Sequence, residues 1–339
     1  KLSLIMDKKI LIFKNDRVGD LFHSIKGINS ILHEHKDYKI EIILSKFSKD
    51  ISFLFDKNNI KVDIYNYDLN FYEKFKIINK VFFSNYEKIF ILSPKNIYFY
   101  LPIISNSKFY AVVVKDHKRN RPLKFLRNKL FKFEINDRTS KRINEGISTL
   151  TEKLCNENSI EYPNILNNKP LNSKLLNNNI DIFKNFVHFH YKDSLFKNNG
   201  WNINNFLDLI NKTSKRTEKI FISSDFGDYK YNNYLLEKLS FINFENGKMN
   251  IDNDSKIIYL HNIKINDLFK LIYLSNQVIS PHGTMTLMAS YLNKKVIDLF
   301  DAKTSMTSFR EFKPSNENYN FLILKNDVDL IINKIINFL

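Results

Sequence analysis

Short apolar runs alternating with stretches of helical periodicity constrain this chain more than any other feature. Residues 9–13 (KILIF) read as a buried strand, and Leu21, Phe22, Ile25, Ile28, Ile31 and Leu32 follow at the spacing of one helix face. Residues 39–44 (KIEIIL), 61–65, 88–92 (KIFIL) and 110–114 (YAVVV) repeat the strand signal. Strands without polar alternation are buried on both faces. Separated by helices, they build parallel sheets through βαβ units.

The rhythm restarts downstream. Residues 186–190, 219–223 (KIFIS), 256–260 (KIIYL), 277–280 and 295–300 (KVIDLF) read as strands. Residues 203–210 read as a helix, about 267–275 as another with Asn266 as its N-cap, and 328–339 as a terminal amphipathic helix. Between the halves, residues 156–185 turn polar around NNKPLNSKLLNNN, the composition of a connector or of a surface insertion within one domain. The expected fold class is α/β, with two Rossmann-like domains whose parallel sheets face a cleft. The expected division is a first domain at 1–165, a linker at 166–185, a second domain at 186–325 and a C-terminal helix at 326–339.

Composition narrows the chemistry. Cys155 is the sole cysteine, so an intrachain disulfide and a cysteine-based metal cluster are both excluded. The eight histidines show no H-E-x-x-H spacing, so no metal is expected. The longest apolar stretch, residues 89–105, is interrupted by Pro94, Lys95, Asn96 and Pro102, whereas a span needs about 20 apolar residues. A cytoplasmic location is the default expectation. Lys and Arg total 52 against 36 Asp and Glu, and the resulting +16 favours phosphate-bearing partners. Asn, Lys, Ile and Phe are abundant throughout, however, as AT-rich coding also produces.

Two turns stand out, each between an apolar strand and a helix. In residues 14–20 (KNDRVGD), Gly19 permits close backbone approach, and the amides of the helix start favour an anion. Asp20 sits there either as a reactive carboxylate or as an ordinary first-turn residue stabilised by the helix dipole. In residues 280–289 (SPHGTMTLMA), Ser280, Gly283, Thr284 and Thr286 leave backbone amides free to receive a phosphate, or form a simple strand–helix turn. The Lys and spacing of a Walker loop are missing, so nucleotide hydrolysis is not supported.

These segments together resemble a known family. ILIFKNDRVGDLFHSIKGINSIL is similar to the opening of glycosyltransferase family 9, the ADP-heptose:lipopolysaccharide heptosyltransferases, and LFKLIYLSNQVISPHGTMTLMASYLNKKVIDLF is similar to that family's C-terminal signature. VHFHYKDSLFKNNGWNINNFLDLI is a weaker third match, similar to the family's strand, phosphate-binding loop, Lys before Trp and helix at the start of the second domain. The resemblance implies a GT-B fold with an acceptor side and a donor side, and inverting transfer without metal or cofactor. It also implies a nucleotide-sugar donor such as ADP-heptose and a glycolipid acceptor. Asp20 would be the general base, with Lys14, Asn15, Arg17 and Gly19 around it on the acceptor side. Ser280, His282, Gly283, Thr284 and Thr286 would hold the donor, Lys197 or Lys192 would supply positive charge, and Ile263 would lie near the base. Trp201 matches a helix-start position and reads as packing.

The chain also departs from the pattern. Where the family carries Asp two residues before the glycine, this chain has Pro281. The family's neighbouring hydroxyl is His282 here, and its downstream His is Thr286. These departures bear on the sugar, and they admit a catalytically inactive binder of the same fold. Residues 115–132 add a basic amphipathic stretch, with Lys124 and Arg127 expected on the acceptor side. Such a stretch suits an anionic membrane surface and peripheral association with the inner face of a bacterial inner membrane. Nucleic acid is not an expected partner, because only Phe125 and Phe131 interleave those charges as stacking residues.

Overall fold

A computed structural model describes residues 8–114, 129–130, 132–136, 147–155, 180–224, 229–252, 254–304, 309, 312–314, 316–325 and 327–339. The chain divides into two compact units, Lys1–Ile165 with Ser305–Ser315, and Leu166–Thr304 with Asn316–Leu339. Lys124 and Arg127, with most of the basic stretch, lie outside the described residues, as does most of the polar segment 156–185.

In the first unit the order is β1 (Lys9–Lys14), α1 (Val18–Glu34), β2 (Lys39–Ser45), β3 (Ile60–Tyr65), α2 (Phe71–Phe83), β4 (Lys88–Ile91), α3 (Asn96–Tyr100), β5 (Lys108–Val114), β6 (Lys132–Asn136) and α4 (Ile147–Cys155). The strands form one parallel sheet in the order β3-β2-β1-β4-β5-β6. β1 is central, and Ile10, Leu11, Ile12 and Phe13 are all fully buried. This is the both-faces burial that the unbroken apolar run implies, at about 1.5–3 kcal/mol per side chain. One face packs Leu11 and Phe13 with Ile77 and Val81 of α2, and Phe13 stacks on Tyr98 with ring centroids 4.2 Å apart.

The second unit continues with β7 (Phe186–Tyr191), α5 (Asp193–Asn198), α6 (Ile203–Ser214), β8 (Lys219–Ser224), α7 (Tyr229–Lys238), β9 (Ser240–Asn243), β10 (Met249–Asn250), β11 (Ile257–His261), α8 (Ile265–Leu274), β12 (Gln277–Pro281), α9 (Thr284–Tyr291), β13 (Lys295–Phe300), β14 (Tyr319–Ile323) and α10 (Val328–Asn337). Its sheet runs β10-β9-β11-β8-β7-β12-β13-β14, parallel except where β10 meets β9. Trp201 is buried in the core and donates its indole N–H to the Lys325 carbonyl at 3.1 Å, so the packing reading stands.

Three local expectations change. α8 begins at Ile265 after Lys264, which makes no side-chain cap, so Asn266 lies inside the first turn and is not its N-cap. The stretch after β7, a phosphate-binding loop by resemblance, is the short helix α5. β6, β9, β10 and β14 add strands the sequence reading omitted. They are short or flank the sheets, where weaker burial leaves no long apolar run.

Lys80 on α2 ties the outer strands of the first sheet. It bonds Asp63 of β3 at 2.7 Å and also reaches Glu41 of β2. Burial opposes its charge, but the bonds to Asp63 and Glu41 outweigh that and hold its pKa above the ordinary lysine value. Burial also works against the Asp63 carboxylate, and Lys80 more than compensates, leaving its pKa low. Lys80→Met strands two carboxylates beside each other and should cost about 1–3 kcal/mol by chemical denaturation at neutral pH. Because the Asp63 pKa is depressed, the difference from wild type should shrink as pH falls through the acid range.

Candidate functional site

In each sheet the chain first builds outward on one flank of a strand and then crosses to its other flank. Ligands of open α/β sheets bind outside the carboxyl ends of the strands at such a reversal. In the first unit it falls between β1 and β4, and in the second between β7 and β12.

At the first reversal, the turn after β1 is tied to the turn after β4. Asp16 accepts from Lys14 Nζ at 2.9 Å and from Ser93 Oγ at 2.7 Å, and Ser45 Oγ donates to its carbonyl. Lys14 is buried and also donates to the Leu92 carbonyl at 3.2 Å. Asn15 is fully buried, with its amide donating to the Asn66 carbonyl at 3.2 Å and accepting from the Tyr98 hydroxyl at 2.7 Å. Lys95 donates to the Asn15 carbonyl at 3.0 Å and lies 4.2 Å from the centre of the Tyr67 ring. Arg17 is exposed, 5.9 Å over the same ring.

Asp20 is half-buried in the first turn of α1. Burial raises its pKa, Lys14 opposes that rise, and Asp16 adds to it. Its carboxyl is therefore a stronger base than an exposed aspartate. Burial lowers the Lys95 pKa, against the pull of Asp16 and Asp68.

Of the expected acceptor-side residues, Arg17, Gly19 and Asp20 remain accessible at this edge. Lys14 and Asn15 do not: their polar groups are consumed in holding the turn, so they shape the site and do not line it. Asp16, Tyr67, Ser93 and Lys95 were missed. The available signal was the polar SPK that directly follows KIFIL.

At the second reversal, Gly283 precedes α9 with φ 156° and ψ −151°. An added Cβ would meet nothing within 4 Å, so the backbone conformation, not space, selects glycine here. Beneath the turn lies Asp298 of β13, fully buried. It accepts from the Tyr319 hydroxyl and pairs with His282 Nδ1, both at 2.7 Å, and accepts from Thr286 Oγ1 at 3.1 Å. A carboxylate beside Nδ1 requires the proton on that nitrogen, leaving Nε2 as the ring's other functional atom. The imidazole stacks on Phe300 at 4.4 Å and keeps 23% of its surface exposed. Burial raises the Tyr319 pKa, and Asp298 raises it further.

His282, Gly283 and Thr284 are partly accessible at the carboxyl edge of β12, and Lys192 follows the carboxyl end of β7. Ser280 and Thr286 are buried, 3.1 Å apart, with hydroxyls bonded inward, so they brace the turn from beneath. Lys197 sits in the last turn of α5, removed from the strand end, which leaves Lys192 the better placed of the two. Ile263 is buried after β11, two strands from the reversal. Asp298 and Tyr319 were missed. A lone carboxylate inside the apolar run KVIDLF was the signal for the first.

Two Rossmann-type parallel sheets in one chain, each with its reversal at the carboxyl edge, define the α/β architecture of the GT-B class. No protein-family model and no curated protein sequence matches the chain. Solved structures match it over nearly its whole length. A glycosyl transferase family 9 protein from Veillonella parvula has a TM-score of 0.64 at 11% identity, covering 97% of this chain and 90% of that one. The E. coli heptosyltransferase WaaC with ADP has a TM-score of 0.64 at 10% identity, covering 98% and 100%. The UDP-GlcNAc 2-epimerase of Methanocaldococcus jannaschii has a TM-score of 0.57 at 13% identity, covering 96% and 91%. Such identities establish a shared fold, and that fold serves both transfer and epimerisation.

Two stability outcomes follow from this geometry. A raised carboxyl pKa means Asp20 contributes stability below the ordinary aspartate range that is lost as pH rises through its folded value. Asp20→Asn should therefore unfold at an equal or higher temperature than wild type at pH 7, and lose that advantage in acid. Gly283→Ala should lower stability by about 1–3 kcal/mol through backbone strain alone, measured by thermal unfolding.

Proposed function

We propose that the chain is an inverting glycosyltransferase that moves a sugar, heptose or a relative, from a nucleoside diphosphate to a lipopolysaccharide or other surface-glycan acceptor. The observation that carries this reading is Asp20, a half-buried carboxyl of raised pKa at the reversal point of its sheet. A sugar hydroxyl becomes acidic only as it attacks, so a strengthened carboxylate base is what the step needs. Asp20 takes the hydroxyl proton while the oxygen bonds to the anomeric carbon. The bond from that carbon to the diphosphate breaks on the opposite face, and the nucleoside diphosphate leaves with the electron pair. Arg17 and Lys95 supply positive charge on the acceptor side.

The donor diphosphate is met by the first amides of α9 at Gly283 and Thr284, by Lys192, and by His282 Nε2. The base lies toward Ile263. Asp298 is a positioning residue: it touches no substrate and holds the imidazole by Nδ1. The family's turn carries its own acidic residue, and here β13 brings a carboxylate to the turn from below. The reading assigns no metal and no cofactor. A catalytically inactive nucleotide-sugar binder is the second reading, favoured by Pro281 and by the inward hydroxyl of Thr286.

Nucleoside-diphosphate release is measured with a panel of nucleotide sugars and glycolipid acceptors. Asp20→Asn should cut turnover at least ~100-fold with donor affinity unchanged. Near-normal turnover in that variant removes the transferase reading, and donor binding without turnover in wild type selects the inactive binder. For the donor side, ADP affinity is measured in His282→Ala, Asp298→Asn and the double variant. Each single change should weaken binding about 10-fold, with the double no weaker than His282→Ala, the non-additivity expected of a coupled pair. Additive losses would remove the positioning role.

A further inference from the structure

α2 is apolar on both of its faces. Inward, Ile77 and Val81 are buried against the sheet. Outward, Phe71, Tyr72, Phe75, Phe82 and Phe83 are exposed, Phe71 by 85% and Phe83 by 76%. At about 100° per residue, Phe71, Phe75 and Phe82 fall within about 40° of one another, and Tyr72 and Phe83 adjoin them. A surface helix ordinarily turns charge toward water. Clustered exposed aromatics of this size mark a face that meets another apolar phase.

The charges around the stripe say which phase. Lys74 and Lys76 are exposed on the same helix. The helix's acidic residue, Glu73, is engaged by Asn66 and by the Asn70 cap. Burial raises the Glu73 pKa, and the bonds from Asn66 and Asn70, helped by Lys46, outweigh it and leave it low. The segment after β2 meets the link between β3 and α2, where the ring of exposed Phe47 lies 5.8 Å from Tyr67, and it adds exposed Lys46 and Lys49. Asp50, Asp56 and Asp68 are the exposed acids of residues 46–59 and 66–83, against exposed Lys46, Lys49, Lys57, Lys74 and Lys76, so the lysines outnumber them by five to three. A symmetric pairing of two copies through α2 would set these lysines against each other. A surface of anionic lipid headgroups complements them, and phenylalanine and tyrosine rings suit its interfacial layer.

We propose that the aromatic face of α2, with Phe47 and its flanking lysines, docks this unit on an anionic lipid bilayer. Tyr67, which contacts Arg17 and Lys95 beside the Asp20 turn, joins β3 to α2. The docking face therefore begins next to the acceptor side and would set that edge at the headgroup level. Contact is at the surface: no helix among the described residues is long and apolar enough to cross a membrane. The proposal deepens the glycolipid-acceptor reading by naming the surface that reaches the lipid. It differs from the basic stretch 115–132, which the test leaves intact.

Full-length protein is sedimented with phosphatidylcholine vesicles, with and without phosphatidylglycerol. Wild type should bind the anionic vesicles. Phe71→Ser, Phe75→Ser and Phe82→Ser combined should reduce that binding at least ~10-fold while the thermal midpoint holds, because each of these side chains is more than half exposed. Lys74→Glu with Lys76→Glu should weaken binding to anionic vesicles and not to neutral ones. Wild-type affinity in the triple serine variant overturns the proposal. So does a concentration-dependent dimer by analytical ultracentrifugation that the serine variant dissolves while vesicle binding persists, since the face then covers a second copy. Vesicle binding without glycosyl transfer counts against the transferase reading alone, and transfer to a delipidated acceptor without vesicle binding counts against this proposal alone.

Discussion

The pairing of β1 with β4, and of β7 with β12, is the constraint on which the rest of the structure depends. Parallel strands present all their carboxyl ends at one edge, and covering helices close most of that edge. Only where the chain reverses its direction of growth do two neighbouring strands send their following segments to opposite sides, leaving a crevice between them. Among the described residues each unit has one such place, and each carries a glycine, a helix start without a side-chain cap and a titratable side chain there: Gly19 with Asp20, and Gly283 with His282. The registers Phe13 with Ile91 and Ile279 with Phe189 hold these turns beside their neighbours.

Much of this was legible beforehand because the central strands are buried on both faces. KILIF and KVIDLF have no polar alternation, and the structure uses each as a parallel strand. β6, β9, β10 and β14 were not legible, because flanking strands meet water on one side and carry mixed composition, as YNFLI does in β14. The positions of the two turns were also readable, since a strand followed by a glycine and a helix start has few other uses.

The inner supports of those turns were not readable, and the reason is physical. Lys14, Asn15, Ser280 and Thr286 look like ligand contacts in a one-dimensional text because polar residues near a phosphate-accepting turn usually face it. In the fold they turn inward: Lys14, Asn15 and Thr286 meet groups on other elements or the turns that follow them, namely Leu92, Asn66, Tyr98 and Asp298, while Ser280 bonds the adjacent Pro281 carbonyl. A buried polar group must find such a partner or incur a desolvation cost of about 1–3 kcal/mol. Which partner it finds depends on sheet order, which spacing along the chain does not encode. The buried carboxylate of Asp298 was visible as an anomaly within KVIDLF, but only the pairing of β12 with β13 sets it beneath His282.

A heptosyltransferase and an epimerase share this fold, so the fold alone does not choose between their chemistries. An inverting displacement at an anomeric carbon needs a base for the incoming hydroxyl and a receptor for the departing diphosphate. It also needs each to be held rigidly before reaction, because donors that must reorient lose much of their electrostatic value. In the proposed transfer, Asp298 bears on that last requirement. Its three donors saturate most of its lone pairs, so His282 is braced by a carboxylate that is itself fixed by Tyr319 and Thr286. In the proposed transferase, Pro281 in the turn need not empty the site of organising charge, because β13 supplies a carboxylate from beneath. There the carboxylate would orient an imidazole instead of meeting a ligand directly. Under that proposal the donor atoms within reach of the turn are set by His282 Nε2 and not by an acidic turn residue.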